Sequence, residues 1–248
     1  MEEPSPPEES VRPNRPFPAS LTLPLVILAL GAEPVAPPPA LAASASRDVV
    51  GSTVRLGRLH YGGGGDWYAN PTSLPNLASA LRDRLGMEVE IEEGRVSPLD
   101  DELFDFPVLH LTGHGNVRFT SEEAERLRWY LVHGGFLFAD DNYGMDESFR
   151  QEVRRLFPES ELVELPFDHD IYHSVYDFPD GLPKIHEHDG GRPHGFAIFH
   201  EGRMVVFYSY NTDIGDGLED ADVHDDPPAI REQALRMAIN VVAYAMTH

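Results

Sequence analysis

Cysteine is absent from the 248 residues. That removes disulfides, thiolate nucleophiles and cysteine-ligated zinc, and it is compatible with an oxidising compartment without demonstrating one. Basic charge is scarce: 19 Lys and Arg stand against 42 Asp and Glu, for a formal charge of -23. A nucleic-acid duplex or an anionic membrane surface would be repelled, so no nucleic-acid partner is expected. Cations, neutral sugars and basic peptides stay open as partners. An uninterrupted membrane-length apolar run is missing too. Leu21 to Leu30, LTLPLVILAL, covers about half of the roughly 20 residues a span needs and carries Pro24, so no stable membrane span is expected. Internal repeats, H-E-x-x-H, the Gly-Lys-Ser/Thr ending of a P-loop and the G-x-G-x-x-G spacing are also absent.

What is present is enough apolar residue, 41%, for a sizeable core. Residues 1–45 read as a leader outside that core. Arg12 and Arg15 precede the apolar run, and Ala40-Leu41-Ala42 and Ala43-Ser44-Ala45 both fit an A-x-A cleavage site. This order is a secretory signal peptide cut after Ala42 or Ala45, for a periplasmic or extracellular protein. Glu2, Glu3, Glu8 and Glu9 oppose it, unless Val11 is the true initiator. The alternative is a disordered Pro/Ala-rich leader on a cytoplasmic protein.

Residues 46–248 read as one α/β domain. Strands are expected at Val54 to Tyr61, Met87 to Ile91, Pro107 to Leu111, Phe136 to Ala139 and Glu161 to Leu165. Phe196 to His200 and Met204 to Tyr210 form a hairpin about Glu201-Gly202-Arg203. Helices are expected at Pro71 to Leu85, capped by Asn70 or Ser73, and from a capping box at Thr120 to Glu123 as far as Gly134-Gly135. A third is capped by Asp146, and the last runs from Asp226 to the C-terminus. Alternating strands and helices with apolar middle strands define a flavodoxin-like three-layer sandwich: a mainly parallel sheet, a C-terminal β-hairpin and a final helix.

In such sheets ligands bind beyond the carboxyl ends of the strands. The turns expected there are GGGGDWYANP (62–71), TGHGN (112–116), DDNYG (140–144) and FDHDIYHSVYDFPDGLPKIHEHDG (167–190). The four most chemically loaded stretches thus fall on one rim. The last holds His169, His173, His186 and His188 among acids; a helical turn would align the first two and a strand the second two. Imidazoles with carboxylates can bind a divalent metal or move protons near neutral pH.

Five stretches, RLHYGGGGDWYANP, LTGHGN, GGFLFADDNYG, ELPFDHDIYHSVYDFPDGLPKIHEHDG and YSYNTDIGDG, resemble a bacterial family known as a domain of unknown function, number four-one-five-nine. The resemblance covers about residues 54 to 248. That family looks like a branch of the class I glutamine amidotransferase-like fold, also used by a trehalose-utilisation-like group. It implies fold more than chemistry. Amidotransferases carry a cysteine in a G-x-C-x-G turn after the third strand. Here that turn reads Thr112-Gly113-His114-Gly115-Asn116, so glutamine amidotransferase chemistry is excluded.

The candidate acid/base groups are His114, Asp141, His169 and His173. His169, His173, His186 and His188 are the candidate metal ligands, with Asp140 or Asp141 as carboxylate partner; alternation along a strand turns only one of those two towards the cleft. A buried polar network of histidines and aspartates is the competing reading. Gly63, Gly64, Asp66, Trp67, Tyr68, Asn116, Asn142, Tyr143 and Tyr172 are candidate ligand contacts. Gly63 and Gly64 can equally serve close backbone approach to a neighbouring loop, and the aromatics can simply plug the sheet end. The acidic loop Asn211 to Asp226, with Asp213, Asp216, Glu219, Asp220 and Asp222, could coordinate calcium, but it lacks EF-hand spacing and reads rather as solvated. Two functions survive: an enzyme, read as a hydrolase on a carbohydrate or related small molecule, and a non-catalytic ligand-binding or envelope-assembly module.

Overall fold

The computed structural model describes residues 53–141, 143–186, 188 and 190–248. The expected leader lies outside the described residues. Strands β1 (Leu56–Leu59), β2 (Gly94–Val96), β3 (Val108–Gly113), β4 (Phe136–Asp141), β5 (Val163–Glu164), β6 (His194–His200) and β7 (Arg203–Tyr210) form one sheet. Their order is β2-β1-β3-β4-β7-β6-β5. The pairings among β1 to β4 and between β4 and β7 are parallel; β6 runs antiparallel to both β7 and β5. Five helices accompany the sheet among the described residues: α1 (Ser73–Leu85), α2 (Ser121–Val132), α3 (Asp146–Leu156), α4 (Ile214–Gly217) and α5 (Pro228–Thr247). This is the flavodoxin-like α/β sandwich that the strand and helix pattern predicts.

Side chains alternate across each strand, so each sheet face has its own core. On one face Leu56, Val108, Phe136, Phe138 and Phe207 pack with Leu77 and Leu81 of α1 and Ala238 and Val241 of α5. On the other, Leu59, Leu109, Leu111, Leu137 and Val206 pack with Leu127 of α2 and Val153 of α3. α2 starts on the expected capping box: Thr120 Oγ1 accepts from Glu123 N at 3.2 Å, and Thr120 N donates to Glu123 Oε2 at 2.7 Å. At α1 the N-cap is Thr72, whose side chain makes no capping bond. Glu219 Oε1 instead accepts from Thr72 N at 2.8 Å, tying the acidic loop to that helix. Among the described residues no helix is long and apolar enough to cross a membrane.

The second strand differs from expectation. Met87 to Ile91 contributes only a bridge, Val54 with Val89, and the paired strand is Gly94–Val96. The reason is a buried charge: Glu93 turns inward to meet Arg58 Nε at 3.0 and 2.9 Å, which sets Gly94 opposite Gly57. Gly94 cannot carry a side chain, because the Phe106 ring lies 2.1 Å from where its Cβ would be.

After β5 the histidine-bearing segment leaves the sheet and follows α5. His169 packs its ring against Phe199 and Tyr244, with centroids 6.1 and 5.5 Å away. Next, Val175 N and Tyr176 N donate to Asn240 Oδ1, at 3.1 and 2.8 Å, and Tyr176 O accepts from Asn240 Nδ2 at 2.8 Å. At the far end Ile185 N donates to Thr212 O at 3.0 Å. The segment therefore travels from the last turn of α5 to the loop that precedes the helix.

Candidate functional site

Three polar side chains close the α1/α5 face at the carboxyl ends of the central strands. Register places Thr112 of β3 beside Asp140 of β4, and Asp140 beside Ser209 of β7; all three are fully buried. Ser209 Oγ donates to Asp140 Oδ1 at 2.5 Å, and Gly215 N to Oδ2 at 2.6 Å. Gly215 is needed there, since Asn70 Nδ2 lies 2.6 Å from where a Cβ would stand. Burial pushes the Asp140 carboxyl up to about 8, against the opposing pull of Ser209 and Gly215. In the unfolded chain an aspartate titrates near 3.9. Between roughly pH 4 and pH 8 the folded state thus keeps a proton that the unfolded chain has released, and stability falls as pH rises through that window. Asp140→Asn is expected to flatten that slope, measured as urea midpoints of chelated protein at pH 4.5, 6 and 8. A slope unchanged by the substitution would contradict the assignment.

Above this row lies a histidine–aspartate group. Asp213 is fully buried, with φ 62° and ψ 53°, and neither carboxylate oxygen accepts a hydrogen bond among the described residues. His186 Nδ1 instead stands 3.5 Å from Asp213 Oδ2, and His188 Nε2 is pressed against the same oxygen. His186 Nδ1 is also 3.1 Å from Asp216 Oδ2, and His224 Nε2 is 3.8 Å from it. On its other side His186 Nε2 meets both Asp226 oxygens at 3.0 Å. Asp213 and Asp216 push the His186 imidazole up to about 10. For Asp216, burial favours the neutral acid, but His186 and His224 hold it below the usual carboxylate range. His186, His188 and Asp213 can hold a metal ion, as can His186, Asp216 and His224: within each group the ligand atoms lie within 4.8 Å of one another.

The glycine turns meet beside this group. Gly65 N donates to Asn116 O at 3.1 Å and Asp66 N to His114 O at 3.2 Å. The carbonyl oxygens of His114 and Asn116 lie 2.8 Å from where a Gly65 Cβ would be, and Gly63, at φ 103°, is as close to Asn116 O. These glycines thus serve loop-to-loop approach. Asp66 fixes His114 twice, accepting from its backbone N and holding Oδ2 3.1 Å from ring Nδ1. The His114 side chain is half exposed. Tyr143, at φ 115°, lays its ring 5.1 Å from that of His188, and Gly144 faces Gly115 N.

The structure therefore brings His114, Asp66, Tyr143, His186 and His188 to one rim. It does not gather the four-histidine metal set. His173 bonds Asp177 Oδ1 at 2.5 Å and Phe167 O at 2.8 Å, while His169 lies by Tyr244. Pro228 and Tyr244 are 16 residues apart on α5, so the two histidine pairs sit about 24 Å from one another along the helix. His169 and His173, expected as acid/base groups, are likewise not brought to this rim. Tyr172, predicted to touch ligand, is buried, its hydroxyl filling the space over Gly195. Trp67 packs on His60 with centroids 4.3 Å apart, whereas Tyr68 and Asn116 are exposed. Asn142 and the Asp141 side chain lie outside the described residues. His224 and Asp226 escape the metal reading, and Asp213 and Asp216 enter it only through the calcium alternative for the acidic loop, never as partners of His186 and His188. His110 drew no notice in the sequence: it is buried beneath the row, neither ring nitrogen has a hydrogen-bond partner among the described residues, and burial, then Arg58, pushes its imidazole well below the usual histidine range.

A flavodoxin-like α/β sheet with a histidine–aspartate group at its carboxyl rim is the class that fold and site define. The family model described as "Domain of unknown function (DUF4159)" matches residues 55–246, and the chain belongs to that family. No curated protein matches the chain.

Proposed function

We propose that this chain is a metal-assisted hydrolase of glutamine amidotransferase-like descent, exported from the cytoplasm, acting on a carbohydrate or related small substrate. The observation that carries the reading is Asp213, a fully buried carboxylate that faces two imidazoles and, with His186 and His188, sets three metal-ligating atoms within 4.8 Å of one another. A buried charge is costly unless a cation meets it, and a metal ion can take the place of the His186 imidazolium proton that meets Asp213 in the metal-free protein. A divalent metal there would supply Lewis-acid polarisation of the substrate and an acidified water. The chain's own residues do the rest. Asp66 holds His114 Nδ1 and so leaves Nε2 free to exchange a proton with substrate, as general acid/base chemistry requires. Tyr143, exposed beside His188, offers a flat face of the kind a sugar ring stacks on.

The test uses chelated protein reloaded with zinc, manganese, nickel or cobalt and assayed against chromogenic glycosides and acetylated sugars. Turnover that needs metal, and that falls about a hundredfold in His114→Ala at unchanged metal content, is expected. Loaded protein that turns over none of these substrates would favour the non-catalytic binding module.

A further inference from the structure

We propose that the two overlapping histidine–aspartate groups are one centre for a single first-row transition-metal dication, and that Asp226 is the residue that aims His186 into it. This rests on the metal-assisted reading above but concerns composition, not turnover. Metal–nitrogen and metal–oxygen bonds of 2.0–2.2 Å place neighbouring ligand atoms roughly 3.0 Å apart around an octahedron and roughly 3.4 Å apart around a tetrahedron. His186 Nδ1 stands 3.1 Å from Asp216 Oδ2 and 3.5 Å from Asp213 Oδ2, with His224 Nε2 at 3.8 Å from Asp216 Oδ2. The 3.1 and 3.5 Å separations match octahedral and tetrahedral edges, whereas the 3.8 Å one exceeds both, so His224 must close on the ion to complete the shell. One imidazole nitrogen thus touches both groups, which makes two separate ions hard to fit.

The donors decide the class of metal. Three imidazoles and two carboxylates are too rich in nitrogen for calcium, which takes six to eight oxygens, or for magnesium, which keeps oxygen and water. Imidazole with carboxylate suits zinc, nickel, cobalt, manganese or iron. Two carboxylates balance the charge of one dication, and five donors leave a sixth octahedral position open.

Asp226 acts from outside this shell. Both its oxygens lie 3.0 Å from His186 Nε2 and accept that ring N–H, which turns Nδ1 towards Asp213 and Asp216. Carboxylates behind ligating histidines fix tautomer and ring orientation, and losing one costs about 10- to 100-fold in metal affinity.

The experiment titrates cobalt(II) into tag-free, chelated full-length chain, following visible absorbance, with zinc competition for affinity. Wild type should bind one cobalt per chain. Asp226→Asn should also bind one, 10- to 100-fold more weakly, with its absorption bands unmoved, and Asp226→Glu should recover part of the loss. Asp216→Asn should shift the bands, because a ligand has gone. Two cobalt ions per chain, a preference for calcium over cobalt, or an Asp226→Asn variant with shifted bands or wild-type affinity would each overturn the proposal. If Asp226→Asn unfolds, the glutamate variant carries the same comparison. A metal-loaded protein without turnover leaves this centre standing and defeats only the hydrolase reading, whereas a wild type that binds no metal defeats both.

Discussion

Asp213→Asn is expected to erase metal-dependent thermal stabilisation while leaving the metal-free protein no less stable. The carboxylate is fully buried, lies near the charge of Asp216, and shares the His186 imidazolium with it. Without a metal its negative charge is met by the His186 imidazolium, and the amide removes the charge and that pairing together at equal size while Asp216 and Asp226 still meet His186. Asparagine also tolerates the left-handed backbone, φ 62°, that the position demands. With a cation the balance reverses. A ligand at a thousand times its Kd stabilises the folded state by about 4 kcal/mol. For a body of this size each kcal/mol moves Tm by about 2–4 °C, so zinc should raise wild-type Tm by roughly 8–16 °C. The variant should gain almost nothing. Calorimetric melts with chelator and with zinc measure both, and equal zinc-induced gains in the two proteins would count against Asp213 as a ligand.

Asn240→Leu should be the most damaging substitution away from the rim. Asn240 is fully buried on α5, and its one amide satisfies two backbone N–H groups and one carbonyl of the segment at Val175 and Tyr176. Leucine fits the volume but leaves three backbone groups without partners, each costing about 1–3 kcal/mol. Part of that is recovered if the segment lifts and hydrates, so a loss of roughly 3–5 kcal/mol is expected, or roughly 6–20 °C in Tm. The segment also carries His186 and His188, so metal affinity should fall although Asn240 touches neither. A loss below about 1 kcal/mol in chelated protein would show that the clamp does not hold the segment.

Much of the fold was legible because its signals are local. The apolar runs of β3 and β4 can only be buried strands, and Thr120 with Glu123 announces a helix start that the structure shows bond for bond. Alternation along β4 also says that Asp140 and Asp141 cannot both face the cleft, and Asp140 lies on the inward face. The edge strand was misread because Met87 to Ile91 alternates as well as any strand. Only the long-range pair Arg58–Glu93 decides which residues bond to β1.

The site was half legible for a similar reason. Gly63 to Asp66 and Gly113 to Asn116 have little use except at a rim, and they meet there. Periodicity is blind to a loop that runs the length of α5, so His169 and His186 look like neighbours when they are not. Charge density likewise says "solvent" for residues 211–226. Asp213 and Asp216 turn inward instead, because His186 and His188 come from elsewhere to receive them, joined by His224 of the same loop.

Anomalous diffraction at the absorption edge of the loaded metal, from crystals of chelated and then zinc-soaked protein, tests the central claim most directly. A single peak about 2.0–2.2 Å from His186 Nδ1, His188 Nε2, His224 Nε2 and one oxygen each of Asp213 and Asp216 is the result predicted. Density only at other positions, with Asp213 still bare and His186 still bonded to Asp216, would contradict it.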